Sequence, residues 1–178
     1  MINIQYIVLG GGCFWCLEAV FQRVQGVLTV TNGYSGGNTQ SPSYESVSMG
    51  RTGHAEVVKV EFNSDVITLE TLLQIFWAIH DPTTLNRQGA DVGSDYRSII
   101  LFNNDDQQKI CEDSKNNVAT TLWKNKVVTE IVPLEVFWPA EDYHQNYFNS
   151  HPERAYCQIV INPKVAKLKQ KFSHLLAN

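Results

Sequence analysis

Two cysteines three residues apart give the strongest chemical signal in the sequence. Cys13 and Cys16 flank Phe14 and Trp15 in the motif CFWC, directly after Gly10 to Gly12. A cysteine at a helix start lies beside unpaired N–H groups and about half a positive charge, which favours the nucleophilic thiolate. One helical turn also brings both sulfurs to one side, where they could bond. The motif predicts a nucleophilic or redox Cys13 with Cys16 as a candidate resolving thiol; the alternative is a small core residue.

The other two cysteines are isolated in the sequence. Cys111 shares a helical face with Val118, which predicts core packing. Cys157 shares a predicted strand face with Ile159, which also favours core packing, with a redox role as the alternative. A structural zinc site needs closely spaced soft ligands, and none of the five histidines forms a ligand pair with these cysteines. We therefore expect no metal and no cofactor.

Glu56 is the most unusual acidic residue because it shares a strand face with Val58 and Phe62. Its carboxyl group is either solvated at the strand tip or partly buried, where its pKa would rise and its proton could be donated. Periodicity alone favours the solvated position. The neighbouring His54 is predicted to lie on the surface.

Three further polar residues lie in or beside two long segments without apolar periodicity. Tyr44 lies between residues 33 and 53, Asp91 lies between residues 80 and 95, and Tyr96 follows directly. Each has an ordinary explanation, as an interface aromatic or a turn residue. Irregular segments of this length inside a compact domain are nevertheless commonly functional.

The elements around these residues can be predicted from hydrophobic periodicity. Phe14 and Trp15 cannot both face the core if Leu17 and Val20 do, so one of them could form an apolar wall beside the thiol. Strands are predicted at 4–9, 26–34, 55–62, 96–102, 127–132 (continued by 134–137) and 156–161, and helices at 17–24, 68–79, 104–124, 140–148 and 164–176. Intermixed strands and helices predict an α/β (α+β) fold, with two layers around a sheet.

Composition sets limits on the class of protein. The chain has 178 residues, 43% apolar and 18% charged, and no linker divides it, so residues 1–178 are expected to form one domain. A net charge of −4 gives no general attraction for nucleic acid or anionic membranes. The N-terminus lacks a signal-peptide pattern, which favours a cytoplasmic protein with reduced thiols. We expect it to act as a monomer.

Many separate motifs, in a fixed order, resemble the A-type peptide methionine sulfoxide reductases. The resemblance runs from about Val8 to Phe172. Its motifs are Gly12-Cys13-Phe14-Trp15, Gly33-Tyr34-Ser35-Gly36-Gly37, Pro42-Ser43-Tyr44-Glu45, Gly53-His54-Ala55-Glu56-Val57, His80-Asp81-Pro82-Thr83-Thr84-Leu85-Asn86-Arg87-Gln88-Gly89, Asp91-Val92-Gly93, Tyr96-Arg97-Ser98 and Ala140-Glu141-Asp142-Tyr143-His144-Gln145. The CFWC motif alone would be a weak match; a thioredoxin-type oxidoreductase also carries CxxC between a strand and a helix.

The resemblance implies a reaction and a role for each matching residue. Cys13 would attack the sulfoxide sulfur and take up its oxygen as a sulfenic acid, releasing methionine. Glu56 would protonate the sulfoxide oxygen, Tyr44 and Tyr96 would donate hydrogen bonds to it, and Asp91 would support that network. A further pair of matching residues would hold the S-methyl group and select the S epimer: these are Phe14 and Trp15. The implied fold is a two-layer sandwich around a mixed sheet, and the implied reductant is thioredoxin.

The sequence departs from the family pattern in how the sulfenic acid would be resolved. Well-known members carry recycling cysteines in a glycine-rich C-terminal tail, but this chain has no glycine after Gly93. Cys16 stands where glycine is common and is already adjacent to Cys13. Cys157, in a predicted strand, is poorly placed to travel. We therefore favour Cys16 as the resolving cysteine, with Cys157 or direct reduction by an external thiol as alternatives.

Overall fold

A mixed sheet of six strands organises the computed structural model, which describes all residues from 1 to 178. The strands are β1 (Ile4–Gly10), β2 (Val27–Ser35), β3 (Ala55–Asn63), β4 (Arg87–Gln88), β5 (Asp91–Val92), β6 (Ile99–Phe102), β7 (Glu130–Pro133) and β8 (Trp138–Pro139). The strand order in the sheet is β7-β6-β1-β3-β2-β8; β6 and β7 are parallel, and every other neighbouring pair is antiparallel. β4 and β5 form a separate hairpin. The predicted α/β class with a mixed sheet is confirmed.

The helices cover one face of the sheet. They are α1 (Phe14–Phe21), α2 (Tyr44–Ser48), α3 (Leu69–Ile79), α4 (Asp105–Ser114), α5 (Thr120–Leu122), α6 (Tyr147–Ser150) and α7 (Asn162–Lys171). Side chains of alternate strand residues pack with the helices in a core of 34 buried residues, among them Leu9, Val58 and Ile100. The opposite sheet face carries a smaller cluster of five buried residues around Val57 and Ile99. A residue at the start of β3 that shares the Val58 face therefore points into the helical layer.

The well-predicted helices begin at residues whose side chains cap them. The Thr68 hydroxyl accepts a hydrogen bond from Thr71 N, and Asn104 Oδ1 accepts one from Gln107 N. α4 continues as a π turn, Lys115–Ala119, into α5. The prediction of one helix over 104–124 is therefore correct apart from this local widening.

Two strand predictions are wrong at their ends. Residues 134–137 do not extend β7; Leu134 and Phe137 instead pack over the smaller cluster, and the chain then pairs with β2 as β8. Tyr96 does not begin a strand, because it ends a 3₁₀ turn, Ser94–Tyr96, three residues before β6. The two long irregular segments also contain short elements, α2 in the first and the β4–β5 hairpin in the second.

The predicted strand at 156–161 is a helix. A π turn, Cys157–Ile161, leads directly into α7. Cys157 and Ile161 are fully buried whereas Ile159 is 73% exposed, which is the period of a helix rather than of a strand. The run of β-branched residues favoured a strand, but packing against α1 decides the conformation. No helix in the structure is long and apolar enough to cross a membrane.

Candidate active site

Cys13 lies at the junction between the central strand and the first helix. It is the N-cap residue of α1, and the turn before it needs glycine: Gly12 has φ +90°, and a side chain on Gly11 would come within 2.8 Å of the His80 ring. Gly12 N donates a hydrogen bond of 3.2 Å to the Tyr96 carbonyl. The backbone of Tyr96, directly after the second long segment, thus fixes the turn that carries the thiol. The glycine run alone did not reveal this contact.

A small cavity opens at the start of α1. Its volume is about 180 Å³. Eight residues line it: Cys13, Phe14, Trp15, Tyr44, Glu56, Asp91, Tyr96 and Tyr156. Seven of these eight were singled out from the sequence, and they converge from four separate parts of the chain. Cys16 does not line the cavity; it lies one helical turn further on and is 1% exposed.

Glu56 is buried at the cavity floor rather than solvated. Its side chain is 2% exposed, and its Oε1 accepts a hydrogen bond of 3.1 Å from Phe14 N at the start of α1. Burial, together with the nearby carboxylates of Asp95 and Asp91, raises the pKa of Glu56 to about 8, although the backbone hydrogen bond from Phe14 acts in the opposite direction. The favoured interpretation of a solvated Glu56 is wrong, because the side chain is buried; the alternative, a buried carboxyl group with a raised pKa, fits the structure.

The predicted shift of Cys13 toward thiolate is not found in the resting protein. Cys13 is 9% exposed, and burial, a hydrogen bond with Cys16 and the charge of Glu56 hold the pKa of its thiol well above the ordinary value. The same hydrogen bond lowers the pKa of the Cys16 thiol, although burial of Cys16 acts to raise it. Desolvation therefore outweighs the helix N-terminus at Cys13.

Tyr44 and Tyr96, two of the three cavity tyrosines, present neutral hydroxyl groups. Burial, followed by the charge of Glu56, raises the pKa of Tyr44 to about 12 and raises that of Tyr96 further. Both remain hydrogen-bond donors at neutral pH. Tyr44 is held because its backbone N–H donates to Glu141 Oε2 at 3.1 Å. Nothing in the sequence around Tyr44 indicated this partner, which lies 97 residues away.

Phe14 and Trp15 form the apolar wall of the cavity. Phe14 is fully buried, whereas Trp15 is partly buried and packs against the edge of the core, so Trp15 is the more exposed of the two beside the thiol. The Trp15 indole N–H donates a hydrogen bond of 3.2 Å to His144 Nδ1, and its ring stacks on Tyr147 with centroids 3.6 Å apart. Glu18, also buried, accepts hydrogen bonds from the N–H groups of residues 146 and 147, which fixes this segment against α1.

His54 is buried, so its predicted surface position is wrong. It is 3% exposed; its Nδ1 accepts from Gly37 N at 3.0 Å, and its Nε2 lies 2.7 Å from the Thr39 carbonyl. The histidine therefore fixes the glycine turn that leads toward Tyr44. Its position next to a strand gave no signal of a partner in the preceding loop.

Tyr156 is the cavity residue that sequence reasoning missed. Its hydroxyl donates a hydrogen bond of 2.7 Å to Asp91 Oδ2 and lies 3.9 Å from Cys16 Sγ. The wrong strand assignment at 156–161 hid it, since the correct helical period turns Tyr156 and Cys157 toward α1. Asp91, predicted from its loop position, lies in the cavity wall where it accepts this bond.

No other part of the chain offers a comparable site. A larger, open groove of about 660 Å³ lies over the opposite sheet face, but its lining contains neither cysteine nor histidine. No three histidine, cysteine or acidic side chains are grouped so as to hold a metal ion. Reactive chemistry is therefore concentrated at the start of α1.

Known proteins match this chain over nearly its whole length. The sequence model of the family described as peptide methionine sulfoxide reductase matches residues 5–176. The peptide methionine sulfoxide reductase MsrA of Saccharolobus solfataricus is 53% identical over 169 residues, covering 95% of each chain. The crystal structure of reduced Mxr1 from Saccharomyces cerevisiae has a TM-score of 0.76 at 36% identity, covering 87% of this chain and 90% of that one. A structure of Mxr1 in complex with Trx2 has a TM-score of 0.53 at 28% identity, covering 82% and 85%.

The fold and the cavity define a thiol-dependent oxidoreductase, in which a buried cysteine faces a protonated carboxyl group and neutral phenols. The extent of the matches identifies the family. The chain belongs to the peptide methionine sulfoxide reductases.

Proposed function

We propose that this chain, as one domain over residues 1–178, reduces the S epimer of methionine sulfoxide, free or in proteins, to methionine and thereby repairs oxidised proteins. The observation that carries the proposal is the cavity itself, in which Cys13 shares about 180 Å³ with Glu56, Tyr44 and Tyr96. This volume is well below the roughly 300–1,000 Å³ of sites for drug-sized ligands, so it suits one side chain. Phe14 and Trp15 receive the S-methyl group.

Oxygen transfer needs an acid, because the sulfoxide oxygen is a weak leaving group. Glu56, with a pKa of about 8, holds a proton at neutral pH and donates it to that oxygen. The hydroxyls of Tyr44 and Tyr96 donate hydrogen bonds to the same atom, and Asp91 supports them. Protonation makes the substrate sulfur electrophilic enough for attack by Cys13.

Atoms and charges balance over this first step. Cys13 forms a bond to the substrate sulfur, its thiol proton passes to the Glu56 carboxylate, and the oxygen moves to Cys13 as the sulfur–sulfur contact breaks. The products are a Cys13 sulfenic acid, methionine and a protonated Glu56. Because burial holds the Cys13 pKa high, we place deprotonation of the thiol in the substrate complex rather than in the resting protein.

Methionine formation with dithiothreitol tests the proposed function. We expect the S sulfoxide to be reduced and the R sulfoxide to be left, because the apolar wall fixes the methyl group on one side. A thioredoxin-type thiol–disulfide oxidoreductase would reduce neither epimer. A peptide-binding module would also form no methionine, so either outcome would overturn the proposal.

Cys16 is proposed as the thiol that resolves the sulfenic acid, yielding a disulfide that thioredoxin reduces. Support comes from its position one helical turn from Cys13 and from its lowered pKa, for which Cys13 is the largest cause. The Mxr1 structure with Trx2 supports thioredoxin as the partner. We propose that the protein acts in the cytoplasm, where thioredoxin keeps thiols reduced. We also propose that it acts as a monomer.

Peptide mapping of the protein oxidised by one equivalent of substrate should find a Cys13–Cys16 disulfide. Cys16→Ser should lose turnover with thioredoxin by about 100-fold while retaining turnover with dithiothreitol, which can reduce the sulfenic acid directly. Cys157→Ser is the matched control and should keep both activities. A Cys13–Cys157 disulfide without a Cys13–Cys16 one would show that the resolving residue is misassigned.

A further inference from the structure

A chain of side-chain contacts leads from Cys16 back to the cavity. The Tyr156 hydroxyl lies 3.9 Å from Cys16 Sγ and donates a hydrogen bond of 2.7 Å to Asp91 Oδ2. Tyr156 and Asp91 both line the cavity, whereas Cys16 is 1% exposed and does not. One phenol therefore connects the second thiol with a carboxylate at the reaction site.

The hydrogen bonds in this chain have a defined direction. A phenol carries a single proton, and in Tyr156 it points to the Asp91 carboxylate, which only accepts. The Tyr156 oxygen therefore faces Cys16 as an acceptor, and the Cys16 thiol is the donor. The direction runs from Cys16 through Tyr156 to Asp91.

Cys16 needs such a path if it resolves the sulfenic acid. Its sulfur attacks as the thiolate, yet at 1% exposure it has no direct route for its proton to bulk water. Cys13 is by then the sulfenic acid under attack, and the apolar residues around α1 cannot serve as a base. The Tyr156 hydroxyl is the polar side-chain group that contacts Cys16 from another element.

We propose that Tyr156 is a catalytic residue of the disulfide-forming step, in which it passes the thiol proton of Cys16 to Asp91. The inference rests on the proposed function, since it assumes that Cys13 becomes a sulfenic acid and that Cys16 resolves it. It assigns Asp91 a second task beyond supporting the tyrosine network.

The step balances without an added reactant. Cys16 Sγ bonds to Cys13 Sγ, and the S–O bond of the sulfenic acid breaks. The Cys16 proton moves to the Tyr156 oxygen as the Tyr156 proton moves to Asp91, and Glu56 protonates the departing hydroxide to give water. Transfer of the Asp91 proton to Glu56 then restores both carboxyl groups. Cys13 is reduced from the sulfenic acid to the disulfide, and Cys16 is oxidised from the thiol.

The local electrostatics agree with a relay rather than with ionisation of the phenol. Burial, then the nearby thiols and Asp91, raise the pKa of Tyr156 far above its ordinary value, so the residue keeps a proton while exchanging it. Trp15 packs edge-on against the Tyr156 ring with centroids 5.9 Å apart, which holds the hydroxyl in place.

Tyr156→Phe tests the inference because it removes the hydroxyl and keeps the ring. Methionine release and loss of the Cys16 thiol are followed in one quenched-flow turnover without reductant. We expect the ratio of the methionine-forming rate to the disulfide-forming rate to rise about 100-fold, the lower end of effects of a lost acid–base group. Because the relay moves exchangeable protons, the wild-type rate of disulfide formation should also be lower in D₂O than in H₂O. This difference between the two solvents should largely vanish in Tyr156→Phe.

Tyr147→Phe is the matched control. It removes another phenol hydroxyl beside Trp15, one that makes no hydrogen bond within the protein, so the ratio of the two rates should stay as in the wild type. Asp91→Asn removes the proton acceptor and carries the test if the tyrosine variant does not fold. Because Asp91 also supports the methionine-forming step, the disulfide-forming rate itself is compared with the wild-type rate here, and it should fall about 100-fold. A wild-type ratio in Tyr156→Phe, or a wild-type disulfide-forming rate in Asp91→Asn, would overturn the relay and leave the proposed function standing. A wild-type protein that forms methionine but no Cys13–Cys16 disulfide would overturn both the relay and the resolving role.

Discussion

Cys13→Ser is expected to abolish methionine formation, with a loss of roughly 10⁶-fold in turnover, the scale on which removal of a covalent nucleophile acts. A serine oxygen at the start of α1 cannot accept the substrate oxygen in the way that sulfur forms a sulfenic acid. The N-cap position itself suits serine, so the helix and the cavity should persist. Methionine is measured under dithiothreitol, which removes any dependence on the resolving step.

Cys111→Ala provides the comparison for this variant. Cys111 is a buried core thiol outside the cavity, so its loss should cost stability rather than turnover. Cys13→Ser protein that still forms methionine at more than a few per cent of the wild-type rate would remove the nucleophile from the proposed reaction.

Glu56→Gln is expected to slow the methionine-forming step by about 10²- to 10⁴-fold, because the carboxamide has no acidic proton for the sulfoxide oxygen. Glutamine has the same shape, and its amide oxygen can still accept the hydrogen bond from Phe14 N. Substrate affinity should therefore change little. A single turnover, with methionine measured over time, separates this step from disulfide formation.

The pH dependence of this step follows from the direction of the Glu56 shift. A pKa raised to about 8 keeps the acid protonated at pH 7, so its contribution should fall as pH rises through about 8. Glu56→Gln should lose this alkaline decline. Glu61→Gln makes the same change on the same strand, where Thr29 and Lys59 hold the carboxylate away from the cavity, and should retain it. An unchanged single-turnover rate in Glu56→Gln would contradict the assigned role.

The sequence predicts most of this fold because its principal elements carry strong local signals. β1, β3 and α3 have clear apolar periods, and capping residues such as Thr68 and Asn104 mark where helices begin. The strand prediction for residues 156–161 is wrong because a short run of β-branched residues fits either a strand or a buried helix. Only the neighbouring α1 decides between them.

The site residues that local sequence patterns mark could be predicted, whereas those that depend on long-range contacts could not. CFWC after three glycines predicted Cys13 at the start of a helix, where it lies. The sequence favoured a solvated Glu56, although this residue shares a strand face with Val58 and is buried. Burial at that face depends on α1 lying over the end of β3, so periodicity alone could not distinguish a buried acid from a solvated one. The Cys13 pKa depends on desolvation by the assembled cavity, which outweighs the helix effect that the sequence suggests. The position of Tyr156 in the cavity could not be predicted because its segment was assigned to a strand instead of a helix.

Trapping the oxidised form of Cys13 is the most direct test of the central claim that this sulfur takes the oxygen of methionine sulfoxide. Cys16→Ser protein without reductant would receive the S sulfoxide together with a reagent specific for sulfenic acids, followed by peptide mapping. We expect one methionine released per chain and one trapped group, located on Cys13. Methionine formation with Cys13 recovered as an unmodified thiol would contradict it.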